Sequence, residues 1–188
     1  MSTETFIQEA VRLAQESVEN GWGGPFGAVI VDDGRIVARG QNRVLLTGDI
    51  TAHAEIEAIR NAVRVLNPYQ PSISEANQKK STLRLIPRPE GSPDPVPERA
   101  CMLNGMEIYM SGAPCPMCMG AIYWARISSV YFSQDWEDTR AIGFDDAFQY
   151  EDFARPISER RIKIEQVYPE SGKQAYQAWM ARKNRHPY

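Results

Sequence analysis

Hydrophobic residues recur along this chain at helical and strand spacings in turn. In residues 3–19 the apolar side chains lie three or four positions apart, which predicts an amphipathic helix. Residues 28–31 form a short apolar run that predicts a buried strand, and Asp33 and Gly34 predict the hairpin turn that follows it. Predicted helices cover residues 3–19, 51–66, 115–126, 135–140 and 172–183, and predicted strands cover 28–31, 35–39, 106–110, 130–132 and 161–167. Strands interleaved with helices predict one three-layer α/β/α domain over residues 1–188.

A proline-rich stretch interrupts this pattern between residues 67 and 105. Seven of the chain's 13 prolines fall within it. Proline has no backbone N–H and a fixed φ, so such a density precludes a regular helix or a central strand. A connection of this length is either functional or disordered. We therefore predict an insertion at about residues 67–105 that leaves the domain and returns to it.

Composition and charge exclude several classes of partner. The formal net charge is −3 and the sequence pI is about 5.5, so the chain has no general attraction to a phosphate backbone and a nucleic-acid partner is not expected. No apolar run approaches the roughly 20 residues that a membrane helix needs. The polar first residues differ from a secretory signal peptide, and three cysteines do not make a disulfide framework. These features predict a cytoplasmic protein that works away from membranes.

Two short motifs carry the candidate chemistry. One is the H-A-E run that contains His53 and Glu55, and the other is the P-C-P-M-C run that contains Cys115 and Cys118. Imidazole and thiolate are typical zinc ligands, and a catalytic zinc has three protein ligands with a fourth position for water. Glu55 is left over to carry protons, as in the H-x-E and P-C-x-x-C signature of zinc nucleobase deaminases. The predicted Zn²⁺ ligands are His53, Cys115 and Cys118.

Two other interpretations of the cysteines remain open. A C-x-x-C pair on its own also serves as a dithiol redox site. A structural zinc would need Cys101 as a fourth ligand, which would make the chain a non-enzymatic module held by three cysteines and one histidine. That arrangement gives Glu55 no role and requires the insertion to reach the metal, so the catalytic interpretation is favoured.

The motifs and their surroundings resemble the cytidine and deoxycytidylate deaminase superfamily, and within it the small bacterial guanine deaminases. Related plant guanosine deaminases are similar too. The resemblance covers roughly residues 4–66 and 106–188 and leaves out the insertion. The segments that carry it are Thr51–Glu55, Ala113–Ile122, Gly23–Val31, Tyr123–Arg126 and Gly143–Asp146.

This resemblance implies a central five-stranded sheet flanked by helices, a zinc cofactor and the deamination of guanine to xanthine. It implies that Asn42 hydrogen-bonds the base and that Asp146 handles the amino group that is lost. The C-terminal segment, at about residues 168–188, would exchange onto a neighbouring subunit of a homodimer and help to close its pocket. The remaining substrate contacts assigned through the resemblance are Phe26, Ala54, Trp124, Phe144 and Tyr188.

The chemistry of these residues is compatible with such roles and leaves alternatives. The Asn42 amide offers a donor and acceptors to a purine edge, and it could equally serve a turn at the end of a strand. Asp146 could equally cap a helix. We expect Glu55 to take a proton from water, pass it to a ring nitrogen and help to protonate the departing amine. Guanine is the expected substrate; guanosine, cytosine, an aminotriazine and, less favoured, tRNA adenosine are the alternatives.

Overall fold

The computed structural model describes residues 1–66 and 102–183, and the chain divides into two compact units, Met1–Ser133 and Gln134–Tyr188. The helices of the first unit are α1 (Thr3–Glu19), α2 (Val44–Thr47), α3 (Ala54–Leu66) and α4 (Pro116–Trp124). The strands are β1 (Gly27–Asp32), β2 (Arg35–Gln41), β3 (Glu107–Gly112) and β4 (Ser129–Gln134). The second unit contains α5 (Trp136–Ala141), α6 (Ala147–Ala154), a 3₁₀ turn (Ile157–Glu159) and α7 (Pro169–Ala181).

Strand β1 organises the sheet, whose order among the described residues is β2-β1-β3-β4. It pairs antiparallel with β2 on one side and with β3 on the other. Asp33 and Gly34 join β1 to β2 with φ angles of 46° and 70°, the left-handed conformation that the predicted hairpin turn requires. Residues Gly27 to Val31 are all buried, as expected of a strand covered on both faces.

Helices cover both faces of the sheet and form two hydrophobic layers. Successive strand residues point to opposite faces, so Val29 and Val31 pack in the layer that contains α1 side chains. Ala28 and Ile30 pack in the other layer, which contains side chains of α3 and α4. The α3 residues in that layer are Ala54, Ala58 and Ala62. The predicted three-layer α/β/α architecture is therefore confirmed.

Two predictions about the sheet are wrong. The described residues contain a four-stranded sheet and not the expected five-stranded one. Residues 161–167, predicted as the last strand, form no strand. A strand is stabilised by pairing and by a buried face, whereas the alternating apolar side chains of this segment are at least half exposed. Those side chains are Ile162, Ile164 and Val167.

The other elements match the predicted ones within a few residues. Helix α3 begins at Ala54 and not at residue 51, so His53 lies just before it. Helices α2 and α6 were not predicted, because they are short and bury almost nothing that would create a periodic pattern. Residues 67–101 of the predicted insertion lie outside the described residues, whereas Met102 and Leu103 are buried a few residues before β3. None of the described helices is long and apolar enough to cross a membrane.

Candidate active site

Close backbone packing at Gly40 holds the start of α3 against β2. A Cβ at this position would overlap the carbonyl oxygen of Ala54 and the amide nitrogen of Ala58. The loop before α3 is tied to the end of β2, because the Arg43 N–H donates to the Ala52 carbonyl at 2.9 Å. The first motif, which runs from His53 into the first turn of α3, is therefore held beside the end of β2.

The second motif opens α4. Cys115 is the N-cap residue, Pro116 is the first helical residue, and the Cys118 N–H donates to the Cys115 sulfur at 3.5 Å. Unpaired N–H groups at a helix start favour a negative charge, which is here a thiolate. Hydrogen bonds from the Cys118 thiol and from His53 lower the pKa of Cys115 to about 4, in spite of its burial. The helix start thus favours the thiolate form of Cys115, whereas the hydrogen bond to Cys115 and burial raise the pKa of Cys118.

The two motifs meet in space. The Nδ1 atom of His53 lies 3.7 Å from the Sγ of Cys115 and 3.5 Å from the Sγ of Cys118. These ligand atoms all lie within 4.8 Å of one another, and they are the one such group found among residues 1–66 and 102–183. With Zn–S at about 2.3 Å and Zn–N at about 2.0 Å, a tetrahedral zinc places its nitrogen and sulfur ligands about 3.6 Å apart. The separations and the donor types therefore both fit zinc.

Glu55 lies beside this group. It occupies the first turn of α3 and is only 6% exposed. Burial raises the pKa of its carboxyl, and Cys115 acts in the same direction while His53 and the Cys118 thiol oppose it. A carboxyl that is shielded from water and adjacent to a metal group is suited to exchange protons with a ligand there. The structure thus brings together both halves of the predicted chemistry.

Asn42 follows β2 directly and is 4% exposed. Its N–H donates to the Phe26 carbonyl at 3.0 Å, and its carbonyl accepts from the buried Ser17 hydroxyl at 2.7 Å. Its Oδ1 accepts from the Val44 N–H at 3.2 Å. The Nδ2 group makes no hydrogen bond within the part of the chain that the structure describes. The oxygen therefore serves the turn, and the amino group remains for a ligand.

The other predicted contacts lie in different environments. Ala54 is buried at the start of α3, and Phe26 packs partly buried against the core of the first unit. Trp124 ends α4 and is 68% exposed. Phe144 and Asp146 belong to the second unit, where Asp146 is the N-cap residue of α6 but its side chain makes no capping hydrogen bond. Two residues lie outside the described ranges, Cys101 and Tyr188.

Three residues that support the site were not singled out from the sequence. A glycine inside a strand, as at Gly40, is a known signal of close backbone approach. Ser17 is a polar residue on the apolar face of α1, which signals a buried hydrogen bond. Gly23 was used only as part of the segment Gly23–Val31 that carries the family resemblance, and its packing against Asn42 has no local sequence signal.

Comparison with known proteins agrees with this site. Residues 1–134 match the family model of the cytidine and deoxycytidylate deaminase zinc-binding region. The chain is 40% identical to the guanine deaminase of Bacillus subtilis over 188 residues, which covers 100% of both chains. The X-ray structure of guanine deaminase from Bacillus subtilis matches with a TM-score of 0.78 and covers 100% of this chain and 99% of that chain. A tRNA-specific adenosine deaminase of Aquifex aeolicus is 32% identical over 133 residues, which is 71% of this chain and 66% of that protein.

The family match covers more than half of the chain and includes both motifs. The group that fits zinc lies entirely inside the matched residues. This chain therefore belongs to the zinc-dependent cytidine and deoxycytidylate deaminase family.

Proposed function

We propose that this chain is a zinc-dependent hydrolase that deaminates free guanine to xanthine and ammonia. The observation that carries the proposal is the metal group formed by His53, Cys115 and Cys118 beside the buried carboxyl of Glu55. Three protein ligands leave a zinc with one position for water, which a structural site would close. Such a site supports the hydrolytic removal of an amino group from a nucleobase.

The extent of the similarity favours guanine over other aminated rings. The guanine deaminase of Bacillus subtilis matches the whole chain, whereas the Aquifex aeolicus tRNA enzyme matches 133 residues. A net charge of −3 also offers no general attraction for a tRNA backbone. Guanosine, cytosine and aminotriazines carry amino groups that the same chemistry would remove. Kinetic comparison must therefore distinguish guanine from these alternative substrates.

In the proposed reaction the C2–N bond to the amino group of guanine breaks, a C2–O bond forms, and the amine leaves as ammonia. His53, Cys115 and Cys118 would hold the zinc, which would lower the pKa of water from about 16 towards about 7 and so supply a nucleophile at neutral pH. Glu55 accepts the proton that the water gives up and delivers it to a ring nitrogen. The same carboxyl then helps to protonate the departing amine. Its burial keeps this proton from exchanging freely with solvent.

Asn42 and a set of apolar residues are proposed to hold the base. The buried Nδ2 of Asn42 suits donation to an acceptor on the purine, such as O6 or N7 of guanine. Asp146 is proposed to bind the amino group that leaves, because a carboxylate accepts hydrogen bonds from an amine. Phe26, Ala54 and Trp124 are the residues of the first unit proposed to contact the base.

Ammonia release from a panel of substrates tests the proposal. The zinc-loaded chain should show its highest kcat/KM on guanine and should form one xanthine for each ammonia. The other members of the panel are guanosine, cytosine, adenosine, an aminotriazine and a tRNA. A higher kcat/KM on any of these would overturn guanine as the substrate. No ammonia from any of them, at full zinc content, would overturn the enzymatic assignment.

We further propose that the chain acts in the cytoplasm as a homodimer that exchanges residues 168–188 between subunits. None of the residues of α7 is buried in the single chain, although Tyr176 and Met180 are large and apolar. A helix that leaves large apolar side chains exposed is typical of a segment that packs on another chain. Light scattering should give twice the chain mass of 21.2 kDa, and cross-links from α7 should join two chains. A monomer would contradict the exchange, and cell fractionation tests the compartment.

A further inference from the structure

We infer that Gly23 and Ser17 are positioning residues that fix the amide of Asn42 and thereby set the preference for an oxo-purine over an amino-purine. The inference rests on the proposed function, because it takes Asn42 as a residue that binds the base. It concerns two side-chain positions that lie on different segments, the glycine-rich loop after α1 and the last turns of α1 itself. Both meet at the same asparagine.

The hydrogen bonds of Asn42 define which way its amide points. The Val44 N–H can only donate, so the atom that it contacts at 3.2 Å must be the Asn42 oxygen. That bond leaves Nδ2 as the atom available to a ligand. The assignment of the amide oxygen and nitrogen is therefore set by the backbone of the neighbouring turn and does not depend on a choice between two equivalent orientations.

Gly23 maintains this orientation by having no side chain. Asn42 Oδ1 occupies the space that a Cβ at position 23 would take. The same Cβ would lie 2.8 Å from Asn42 Cγ and 2.9 Å from the Asn42 carbonyl oxygen. A larger residue at this position therefore requires a shift, and we expect the Asn42 amide, which it meets first, to move away from the Val44 N–H.

Ser17 fixes the backbone of the same asparagine. Its side chain is completely buried on the inner face of α1, and its hydroxyl donates to the Asn42 carbonyl at 2.7 Å. A buried hydroxyl without a partner is destabilising, so this bond is maintained in the folded chain. Helix α1 is thereby joined to the residue proposed to bind the base.

A fixed amide discriminates between purines in a way that a rotating amide does not. With Nδ2 as its free group, Asn42 donates to an acceptor such as the C6 oxygen of guanine. A rotating amide could instead turn its oxygen to a C6 amino group. Sites built to pair with one polar group reject analogues that lack it, because a buried group is then left unpaired.

Kinetics on guanine and 2,6-diaminopurine test the inference, since these purines share the 2-amino group and differ in the group at C6. Gly23→Ala should raise KM for guanine by about tenfold and change kcat by less than about threefold. The reason is that a displaced Asn42 amide no longer donates its hydrogen bond to the base, and this bond contributes to binding. Its preference for guanine over 2,6-diaminopurine should fall. Ser17→Ala should change the same quantities less. In an Asn42→Ala background, Gly23→Ala should not lower the preference further.

Gly120→Ala is the matched control, because it adds the same methyl group to α4 at a place where nothing lies within 4 Å. Its KM and its preference should equal those of the wild type. A Gly23→Ala chain that loses kcat and zinc with an unchanged preference would overturn the inference, because the glycine would then be merely structural.

A crystal structure of Gly23→Ala gives a measurement that needs no substrate. The Asn42 amide should be displaced and its bond from the Val44 N–H lost. An amide that stays in place overturns the inference, whatever the substrate is. A displaced amide in an enzyme that never acts on guanine would support the positioning role and refute the proposed function alone.

Discussion

The Nδ1 atom of His53 lies 3.5 Å from the Sγ atom of Cys118, although 65 positions separate the two residues in the chain. His53 precedes α3, which follows β2, whereas Cys118 lies in α4, which follows β3. Both strands pair with β1, so the metal group exists only when the two pairings are in register. A metal that binds this group therefore stabilises the folded chain over the unfolded one.

Glu55→Gln should remove most of the activity and leave the zinc bound. Loss of general acid–base catalysis costs roughly 10²-fold or more in kcat. Metal analysis should give the wild-type ratio of zinc to chain, because Glu55 supplies none of the ligand atoms. Glu57→Gln is the matched control, since Glu57 lies two positions later in the same helix and pairs with Arg60 at 2.9 Å. Retained turnover in the Glu55 variant would remove this residue from the mechanism.

Cys118→Ser should lose both zinc and activity, whereas Cys101→Ser should keep both. A serine hydroxyl is a poor zinc ligand compared with a thiolate, and Cys101 is not needed by a site with three protein ligands. Metal analysis and ammonia release measure the two outcomes on the same samples. Loss of zinc in the Cys101 variant would instead indicate a closed structural site with four ligands.

Asp146→Asn should reduce turnover more than it reduces zinc content. The substitution preserves shape but removes the charge that is proposed to bind the departing amino group. Asp145→Asn is the neighbouring control, because Asp145 is half exposed and pairs with Arg140 at 3.2 Å. Equal effects of the two substitutions on kcat would show that Asp146 has no special part in the reaction.

Gly40→Ala should destabilise the fold and weaken zinc binding together. The new methyl group meets backbone atoms of α3, which must shift, and overpacking of this kind costs about 1–3 kcal/mol. Urea unfolding and zinc competition with a chelator measure the two effects. Gly120→Ala serves as the control again, and unchanged zinc affinity in the Gly40 variant would show that His53 does not depend on this packing.

Glu9→Gln should lower stability at neutral pH but not in strong acid. The Arg12 guanidinium at 2.8 Å and the Arg39 guanidinium at 2.6 Å lower the pKa of Glu9 from 4.5 to about 2. A pKa that is lower in the folded state stabilises the fold above the unfolded value and loses this effect as pH falls towards 2. The variant should thus be about 1 kcal/mol less stable at pH 7, a difference that shrinks below pH 4 in urea titrations. A difference that does not change with pH would contradict the ion pairs.

Local patterns predicted most of the elements and the metal group. The bounds of α1 follow from its amphipathic period and from Ser2, whose side chain accepts from the Thr5 N–H at the helix start. The identities of the zinc ligands follow from the spacing within each motif. Segment 161–167 shows the limit, because alternation is a property of a sequence whereas a strand also needs a partner.

Contacts between distant segments could not be predicted in the same way. Ser17 and Asn42 are 25 positions apart, and nothing in either local pattern indicates that the hydroxyl of one meets the carbonyl of the other. The role of Gly23 likewise depends on a space that exists only after folding. Local sequence patterns therefore indicate the reacting groups, whereas the residues that position those groups become evident only in the folded chain.

Helix α3 ends at Leu66, far along the helix from the metal group at its start. With 13 residues in α3, Leu66 lies about 18 Å along the helix axis from Ala54. A fluorescent reporter joined to the chain directly after Leu66, or new termini opened there by circular permutation, should therefore leave His53 in place. Such fusions would turn the chain into a purine biosensor whose recognition element keeps its native neighbours.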